Sequence, residues 1–334
     1  MFRQRRRRPV SPRSIPTMQA LYLLLRQIRL EAEGTASFEL VDPDGRELPP
    51  FSAGAHVDVQ IPGGPRRSYS LSSSPANREC YRITVRRDPA SRGGSAWFHE
   101  QARVGMRLEA HGPRNEFELE ESATHSVMLA GGIGITPLLT MIGRLNELGR
   151  GWSLHYSTRH MAEMAFTWEL NRLQAQGDSE LHRYATANGG ARMDLRGIIA
   201  SAPAGSHFYC CGPAAMIDGF LDATKALPPS HVHYERFSAT QAAATDGGYQ
   251  LRLMRDGRSL RVVPGRSMLD TLLDAGVDLP YSCTQGICGS CRVNVLHGQP
   301  DHRDECLSDE ERASNRVVMP CCSGSLGPVL TLDL

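Results

Sequence analysis

A closely spaced set of cysteines near the carboxyl terminus constrains this chain more than any other feature. Cys283 is followed by Cys288 and Cys291 with gaps of four and two residues, and the adjacent pair Cys321 and Cys322 comes thirty positions later. A C-x4-C-x2-C run with a distant fourth cysteine has the spacing of plant-type [2Fe-2S] sites, in which four thiolates hold two irons. The sequence therefore predicts a domain folded around an iron–sulfur cluster.

Zinc and disulfides are the two alternatives to an iron–sulfur cluster, and both are disfavoured. A zinc site is disfavoured because zinc sites usually pair their cysteines at shorter spacings. A cluster is favoured because Gly286 and Gly289 permit the tight turns that aim backbone N–H groups at cluster sulfides. Disulfides are disfavoured because six of the nine cysteines fall between 283 and 322, which favours a metal site in a reducing compartment. If Cys321 and Cys322 lie on a strand, their side chains point to opposite faces, so only one of them can be the fourth ligand.

Length and charge limit the class of protein further. A chain of 334 residues is expected to form two or three domains. Six Arg and no acidic residue occur in the first sixteen positions, so the rest of the chain is mildly acidic, which disfavours nucleic acid as the main partner. The apolar run at 21–25 ends at Arg26 and is too short to span a membrane. We expect a soluble, cytoplasmic monomer.

The amino terminus is expected to lie outside the folded domains. Residues 1–17 combine a block of arginines with three prolines, and no apolar core of a signal peptide follows them. We therefore expect a disordered tail at 1–17, or a true start at Met18.

The pattern of apolar residues predicts three domains of different class. Short alternating segments over 18–120 predict an antiparallel β-barrel. Strands and helices alternate over 121–237, which predicts an α/β domain with a parallel sheet. A segment without periodic apolar residues at 238–248 is the expected linker, and 249–334 is expected to be an α+β domain of ferredoxin-like (β-grasp) type that carries the cysteines.

Two segments of the barrel have the residues of a flavin site. Arg67 and Tyr69 share one face of a predicted strand, where a cation suits a phosphate and a ring packs on the flavin, and Ser70 offers a hydroxyl to its polar edge. Gly94 and Ser95 begin a predicted helix whose N–H groups could receive a phosphate. Residues of these types also occur on barrel surfaces that bind no ligand.

The α/β domain has two features of a nicotinamide site. The glycine-rich turn 131–137 stands where a strand becomes a helix, which lets a pyrophosphate approach the backbone, and it includes Gly132 and Thr136. Cys211 precedes a Gly-Pro turn at the carboxyl end of a strand, the edge where open α/β sheets bind ligands. Because glycine-rich turns often serve only to connect a strand to a helix, the neighbouring motifs must indicate whether this turn binds a nucleotide.

Taken in order, these motifs resemble the phthalate dioxygenase reductase and vanillate O-demethylase reductase family. The resemblance rests on Arg67 to Ser70, the glycine turn ending at Thr136 and Pro137, Cys211 to Pro213 and the C-terminal cysteines, and it covers 18–334. It implies a flavin barrel, a nicotinamide domain and an appended [2Fe-2S] ferredoxin. It also favours Cys321 over Cys322, which gives Cys283, Cys288, Cys291 and Cys321 as the metal ligands.

The resemblance further assigns roles to individual residues. It places FMN on Arg67, Tyr69, Ser70, Gly94 and Ser95, and NADH on Gly132, Thr136 and Cys211. Phe237 is expected to stack near the flavin or nicotinamide, with packing in the core as the alternative. The catalytic residues expected from the resemblance are Ser70, Cys211 and Phe237.

The implied function is that of an oxidoreductase in electron transport. A nicotinamide gives two electrons together, whereas a [2Fe-2S] cluster takes one, so a flavin must stand between them. The expected protein is the reductase component of a Rieske-type oxygenase or demethylase, docking transiently on its oxygenase. The alternatives are a reductase for a cytochrome P450 and a ferredoxin carrier with a degenerate amino-terminal part. FAD in place of FMN is open because the same barrel holds FAD when extra residues clamp the adenine, although the sequence offers no clear clamp. NADPH in place of NADH is open because Thr158 to His160 include no acid to bind a ribose hydroxyl.

Overall fold

The computed structural model describes residues 20–334 except 90, 92, 176–178, 238 and 240. The expected tail at 1–17 lies outside these described residues, as do two positions of the expected linker. No helix in the described part of the chain is long and apolar enough to cross a membrane.

The first part of the chain forms a six-stranded antiparallel sheet. Its strands lie in the spatial order β4-β3-β6-β1-β2-β5, and a bridge between Leu71 and Ile83 joins the two outer strands, which closes the sheet. Buried aromatic side chains such as Phe38, Tyr81 and Phe98 fill its interior. The elements are β1 (Leu21–Ala32), β2 (Thr35–Val41), β3 (His56–Gln60), β4 (Arg66–Ser70), β5 (Tyr81–Arg86), α1 (Gly94–Glu100) and β6 (Arg107–Arg114).

The second part is a five-stranded parallel sheet with helices packed on it. The strand order is β11-β10-β7-β8-β9, and every neighbouring pair is parallel. The three central strands are buried on both faces, which explains their continuous apolar runs, whereas the two edge strands are partly exposed. The elements are β7 (His125–Gly131), α2 (Ile135–Glu147), β8 (Gly151–Thr158), α3 (Thr167–Gln174), β9 (Glu180–Ala185), α4 (Leu195–Ser201), β10 (His207–Cys211), α5 (Ala214–Ala223) and β11 (Val232–Glu235).

The third part is a mixed sheet with a separate apolar core. The expected hairpin around Gly257 is present, and the last strand pairs in parallel with the first strand of this part. A five-stranded sheet has the order β13-β12-β18-β14-β16, and β15 pairs with β17. The elements are β12 (Tyr249–Leu253), β13 (Ser259–Val262), α6 (Met268–Asp274), β14 (Val293–His297), β15 (Pro300–Asp301), α7 (Asp309–Ser314), β16 (Val317–Val318), β17 (Gly324–Ser325) and β18 (Val329–Leu332).

The predicted architecture of barrel, parallel α/β sheet and α+β domain is confirmed. One local prediction is wrong. Cys321 and Cys322 do not lie on a strand, because β16 ends at Val318 and both cysteines occupy the turn that follows. Strand alternation therefore does not separate their side chains, and their contacts must be considered individually. The exact domain boundaries stay predictions.

Candidate functional site

A cavity of about 700 Å³ lies where the three parts of the chain meet. This volume is typical of a site for a cofactor-sized molecule. Seven of the residues predicted to act on flavin or nicotinamide line it, together with two of the predicted cluster ligands: Arg67, Tyr69, Ser70, Gly94, Ser95, Thr136, Phe237, Cys283 and Cys288.

The predicted flavin residues lie on one wall of this cavity. Strand β4 carries Arg67 and Tyr69, and the start of α1 approaches them so closely that a Cβ on Gly94 would lie 3.1 Å from the Tyr69 Oη and 3.1 Å from the Arg67 Cγ. Tyr69 packs edge-on against Phe98, with ring centroids 5.1 Å apart. Burial raises the pKa of the Tyr69 hydroxyl, which therefore stays protonated. The wall combines a cation, a fixed ring and the first turn of a helix, which fits a flavin.

The carboxyl groups of Glu116 and Glu235 face the same cavity. No motif in the sequence indicated a role for Glu116. Glu235 is half-buried at the end of β11, and its Oε2 atom is buried without a hydrogen-bond partner. Burial, together with the charge of Glu116, raises the pKa of Glu235 to about 8. Burial also raises the pKa of Glu116 to about 7. A group that holds a proton near neutral pH beside a redox cofactor can exchange it when the charge in the cavity changes.

The glycine turn lies at the carboxyl edge of the parallel sheet, as expected. Gly132 has a φ of +54°, and a Cβ on Gly134 would lie 2.1 Å from the Cys211 carbonyl oxygen. Only glycine permits the turn to pack this closely on the end of β10. Thr136 donates a hydrogen bond to the Ile133 carbonyl at 3.0 Å and lines the cavity.

The predicted residues Gly132 and Cys211 are set back from the large cavity. Gly132 borders a small adjoining cleft instead. The Cys211 side chain is fully buried, and its burial raises the pKa of the thiol well above the ordinary value. It pairs in β-sheet register with Glu235. The role of Cys211 at the nicotinamide therefore stays a prediction.

The sequence gives no signal for Glu163, which lies five residues beyond the end of β8. In the structure it borders the cleft beside Gly132 and Thr158, and its carboxylate is 3.9 Å from the Arg86 guanidinium. A short helical turn at Met161–Glu163 folds this carboxylate back to the strand end. No periodic signal in the sequence marks such a turn.

The cysteines converge on one loop in the third part of the chain. The thiol of Cys283 interacts with those of Cys288 and Cys321, and the thiol of Cys291 interacts with that of Cys321. Hydrogen bonds from the Cys288 and Cys321 thiols lower the pKa of Cys283 and raise the pKa of the two donors, because the thiols lie against one another. The Gly286 N–H donates to the Cys321 Sγ at 3.2 Å, as expected for a cluster ligand.

Cys322 lies in the same turn, where its thiol contacts that of Cys321 and donates to the Met319 carbonyl at 3.7 Å. A Cβ on Gly286 would lie 2.3 Å from the Cys322 Sγ, so this thiol packs behind the loop. Within the described residues, no three or more His, Cys, Asp or Glu side chains surround the position of a single metal ion. A two-iron cluster differs because its four thiolates are divided between two irons. The donor set of four sulfurs and one backbone N–H fits such a cluster.

Comparison with known proteins agrees with this geometry. Residues 251–324 match the model of the 2Fe-2S iron-sulfur cluster binding domain, and residues 128–222 match that of the oxidoreductase NAD-binding domain. The phenoxybenzoate dioxygenase subunit beta of Ectopseudomonas oleovorans is 48% identical over 318 residues, which are 95% of this chain and 98% of that protein.

Two solved structures extend the comparison. A phthalate dioxygenase reductase, described as a modular structure for electron transfer from pyridine nucleotides to [2Fe-2S], superposes with a TM-score of 0.77 at 38% identity, covering 94% of this chain and 98% of that one. An intact type IV self-sufficient cytochrome P450 monooxygenase superposes with a TM-score of 0.78 at 34% identity over 98% of this chain. This chain spans only 43% of that monooxygenase.

The fold and the site define an oxidoreductase that joins an NAD-binding domain to a [2Fe-2S] domain. The chain belongs to the phthalate dioxygenase reductase family, as its motifs predicted. It is thus a reductase component of a multicomponent oxygenase system.

Proposed function

We propose that this chain holds FMN in the large cavity, accepts electrons from NADH and delivers them through its cluster to a Rieske-type oxygenase that acts on aromatic acids. The observation that carries the proposal is that one cavity is lined both by the predicted flavin residues and by the cluster cysteines Cys283 and Cys288. When bound there, a flavin takes up a hydride from the nicotinamide and releases its electrons singly to the cluster.

The residues of the barrel would fix the position of the flavin. Arg67 would pair with its phosphate, Tyr69 would pack against the ring system, and the close approach of Gly94 and Ser95 would enclose the phosphate end. The Ser70 hydroxyl interacts with the Glu235 carboxyl and is 6% exposed, so it can address the polar edge of the ring. FMN is preferred to FAD because the sequence offers no aromatic clamp for an adenine.

The turn beside α2 would hold the nicotinamide. The backbone at Gly132 and the Thr136 hydroxyl would meet the pyrophosphate, and Phe237, which is 38% exposed, can shield the flavin until the nicotinamide takes its place. Glu163 supports NADH rather than NADPH, because a carboxylate at this strand end accepts a hydrogen bond from a ribose 2′-hydroxyl and repels a 2′-phosphate.

The cavity also supports a role for the two carboxyl groups that line it. Glu235 and Glu116 hold protons near neutral pH and face the polar edge of the site at Ser70. They can therefore take up or release protons as the charge in the cavity changes.

The choice of partner rests on the relatives. The relatives include a phenoxybenzoate dioxygenase subunit and a phthalate dioxygenase reductase, which are named for aromatic acids. Because electron-transfer interfaces are small and weak, we expect the reductase to dock only transiently on its oxygenase. We also expect the reductase to be a monomer.

The test has three parts on the full chain loaded with iron, sulfide and flavin. Flavin released by heat is identified by mass, the kcat/KM for cytochrome c reduction is compared for NADH and NADPH, and turnover is measured with purified Rieske-type oxygenases. We expect FMN, a preference for NADH and NADH-dependent hydroxylation of an aromatic acid. FAD, a preference for NADPH, or turnover with no such oxygenase would contradict the corresponding part of the proposal.

A cytochrome P450 is the second candidate partner. The observation in its favour is the similarity to the self-sufficient P450 monooxygenase over 98% of this chain. Reduction of a purified P450 by the loaded reductase, at a rate exceeding that for any Rieske-type oxygenase, would favour this alternative.

A further inference from the structure

Three successive residues of β4 contact the loop that carries the first cluster cysteine. The Arg66 guanidinium lies 5.2 Å from the centre of the Tyr281 ring, and the Arg67 Nη1 donates to the Thr284 Oγ1 at 3.1 Å. Between them, the hydroxyls of Ser68 and Ser282 are 3.0 Å apart. The strand proposed to bind flavin and the loop proposed to bind iron therefore touch on both sides of Cys283.

A buried carboxylate organises this contact. The Asp58 side chain, on the neighbouring strand β3, is 1% exposed and accepts hydrogen bonds from the Ser282 Oγ at 2.5 Å and the Ser68 Oγ at 2.7 Å. The Arg114 Nη2 donates to its second oxygen at 2.5 Å and supplies the compensating charge. A buried charge is tolerated only when it has an opposite charge and hydrogen-bond donors beside it, and Asp58 has both kinds of partner.

Ser282 connects this hydrogen-bond network to the backbone next to the cluster cysteine Cys283. Ser282 is 1% exposed and directly precedes Cys283, and Thr284 on the other side has a φ of +55° while donating to the Cys283 carbonyl at 2.7 Å. The backbone on each side of this cysteine is thus tied to the barrel or held in one conformation. Reacting groups work only when the surrounding residues fix them to within a fraction of an ångström.

We propose that Asp58 and Ser282 are positioning residues that lock the cluster loop against the flavin strand and thereby set the rate of electron transfer from flavin to cluster. This inference rests on the proposed function, since it needs a flavin in the cavity. It goes beyond that function in naming the side chains that join the two domains. Neither residue lines the nicotinamide turn, so hydride transfer is predicted to be independent of them.

The variants Asp58→Asn, Ser282→Ala and the double variant test this proposal in the full chain, loaded with flavin and cluster. Ser325→Ala is the matched control, because its hydroxyl bonds the Gly327 carbonyl within the same domain. Ser282→Thr keeps the hydroxyl. Two measurements are made: hydrogen–deuterium exchange of the segments 66–70 and 281–285, and anaerobic stopped-flow absorbance after mixing with NADH.

We expect exchange in both segments to be about tenfold faster and cluster reduction about tenfold slower in Ser282→Ala, which corresponds to roughly 1.4 kcal/mol, a usual cost for a deleted buried hydrogen bond. Flavin reduction by NADH is expected to match that of Ser325→Ala, and Ser282→Thr to restore both readouts. The double variant is expected to change less than the sum of the single changes, because both remove one interaction.

Parent-like exchange and parent-like cluster reduction in Ser282→Ala would overturn the proposal. If Asp58→Asn fails to fold because Arg114 loses its partner, Ser282→Ala alone decides. Failure of the proposed function looks different, since the parent chain itself would then bind no flavin or show no reduction of its cluster by NADH.

Discussion

Glu235 shows at the scale of one residue how burial prepares a side chain for a particular role. Its pKa of about 8 arises first from burial and then from the nearby charge of Glu116, while its bond with Ser70 opposes the rise. The folded protein therefore holds a proton that the unfolded chain releases above its ordinary pKa of 4.5. By linkage, the stability contributed by this group falls as pH rises from about 4.5 to about 8 and is then constant.

Glu235→Gln removes this dependence. We expect the midpoint of thermal unfolding of the variant to decline less than that of the parent between pH 5 and pH 8, by an amount equivalent to a few kcal/mol. Glu310→Gln, at an exposed position, is the control and should follow the parent. Parallel curves for parent and Glu235→Gln would show that the carboxyl is not protonated in the folded protein.

The adjacent cysteines permit a second prediction at this scale. Cys321 accepts the Gly286 N–H, whereas Cys322 packs behind the loop. Cys321→Ser should therefore lose the visible and electron paramagnetic resonance signals of the cluster, and Cys322→Ser should keep them. The iron content of the two purified variants provides an independent check, and a cluster that survives in Cys321→Ser but not in Cys322→Ser would reverse the assignment.

At the scale of the element, the glycine turn between β7 and α2 determines how closely the helix approaches the edge of the sheet. Gly134→Ala would place a Cβ against the Cys211 carbonyl, so the turn or β10 must move. We expect a loss of about 1–3 kcal/mol in stability and a raised KM for NADH, with flavin and cluster retained. The measurements are thermal unfolding and NADH-dependent reduction of the flavin.

Gly143→Ala, within the helix α2 that follows this turn, is the matched control. Nothing lies within 4 Å of its added Cβ, so this variant should be neutral or more stable by up to about 1 kcal/mol. An equal effect of both substitutions would mean that helix propensity, not the close approach, explains the result at Gly134.

The elements also show how far sequence reasoning reaches. The parallel strands and the hairpin at β12 and β13 follow from continuous or alternating apolar runs, and the structure confirms them. Strand β2 was not predicted because its buried face carries hydroxyls: the Ser37 Oγ is 2.8 Å from the Thr84 Oγ1 inside the barrel. Helix α4 was missed because it has only seven residues, although Asp194 caps it by accepting the Gly197 N–H.

The candidate site was predictable to the extent that it depends on local motifs. Local sequence motifs contain Arg67, Tyr69 and the spaced cysteines, and in the structure these motifs line one cavity. Glu116 and Glu163 come from separate turns, and Asp58 meets Ser282 across 224 positions of sequence. No short-range pattern encodes such contacts, because they arise only when whole domains pack.

At the scale of the whole molecule, an ion pair joins the barrel to the NAD-binding domain. Arg82 on β5 donates two hydrogen bonds of 3.1 Å to the Glu169 carboxylate on α3, and its guanidinium lies 5.1 Å from the centre of the Phe166 ring. Bidentate geometry and partial burial make such a pair stronger than a surface salt bridge.

Glu169→Ala should loosen this contact and leave Arg82 without its partner. We expect flavin content to be unchanged and flavin reduction by NADH to slow by about tenfold, the equivalent of roughly 1.4 kcal/mol in the docking of the two domains. Stopped-flow measurement over a range of NADH concentrations checks this. Glu180→Ala, with its carboxylate exposed on the far strand β9, should behave as the parent. Unchanged flavin reduction in Glu169→Ala would show that the ion pair does not couple the domains.

The central claim is that one chain converts a two-electron donation into single-electron deliveries through two cofactors that share a cavity. The most direct measurement is an anaerobic stopped-flow experiment in which the loaded full-length chain is mixed with NADH while flavin and cluster absorbances are followed separately. We predict that flavin absorbance falls first and that cluster absorbance falls afterwards, at a rate independent of NADH concentration. Loss of only one absorbance, or reduction of the cluster before the flavin, would contradict the account.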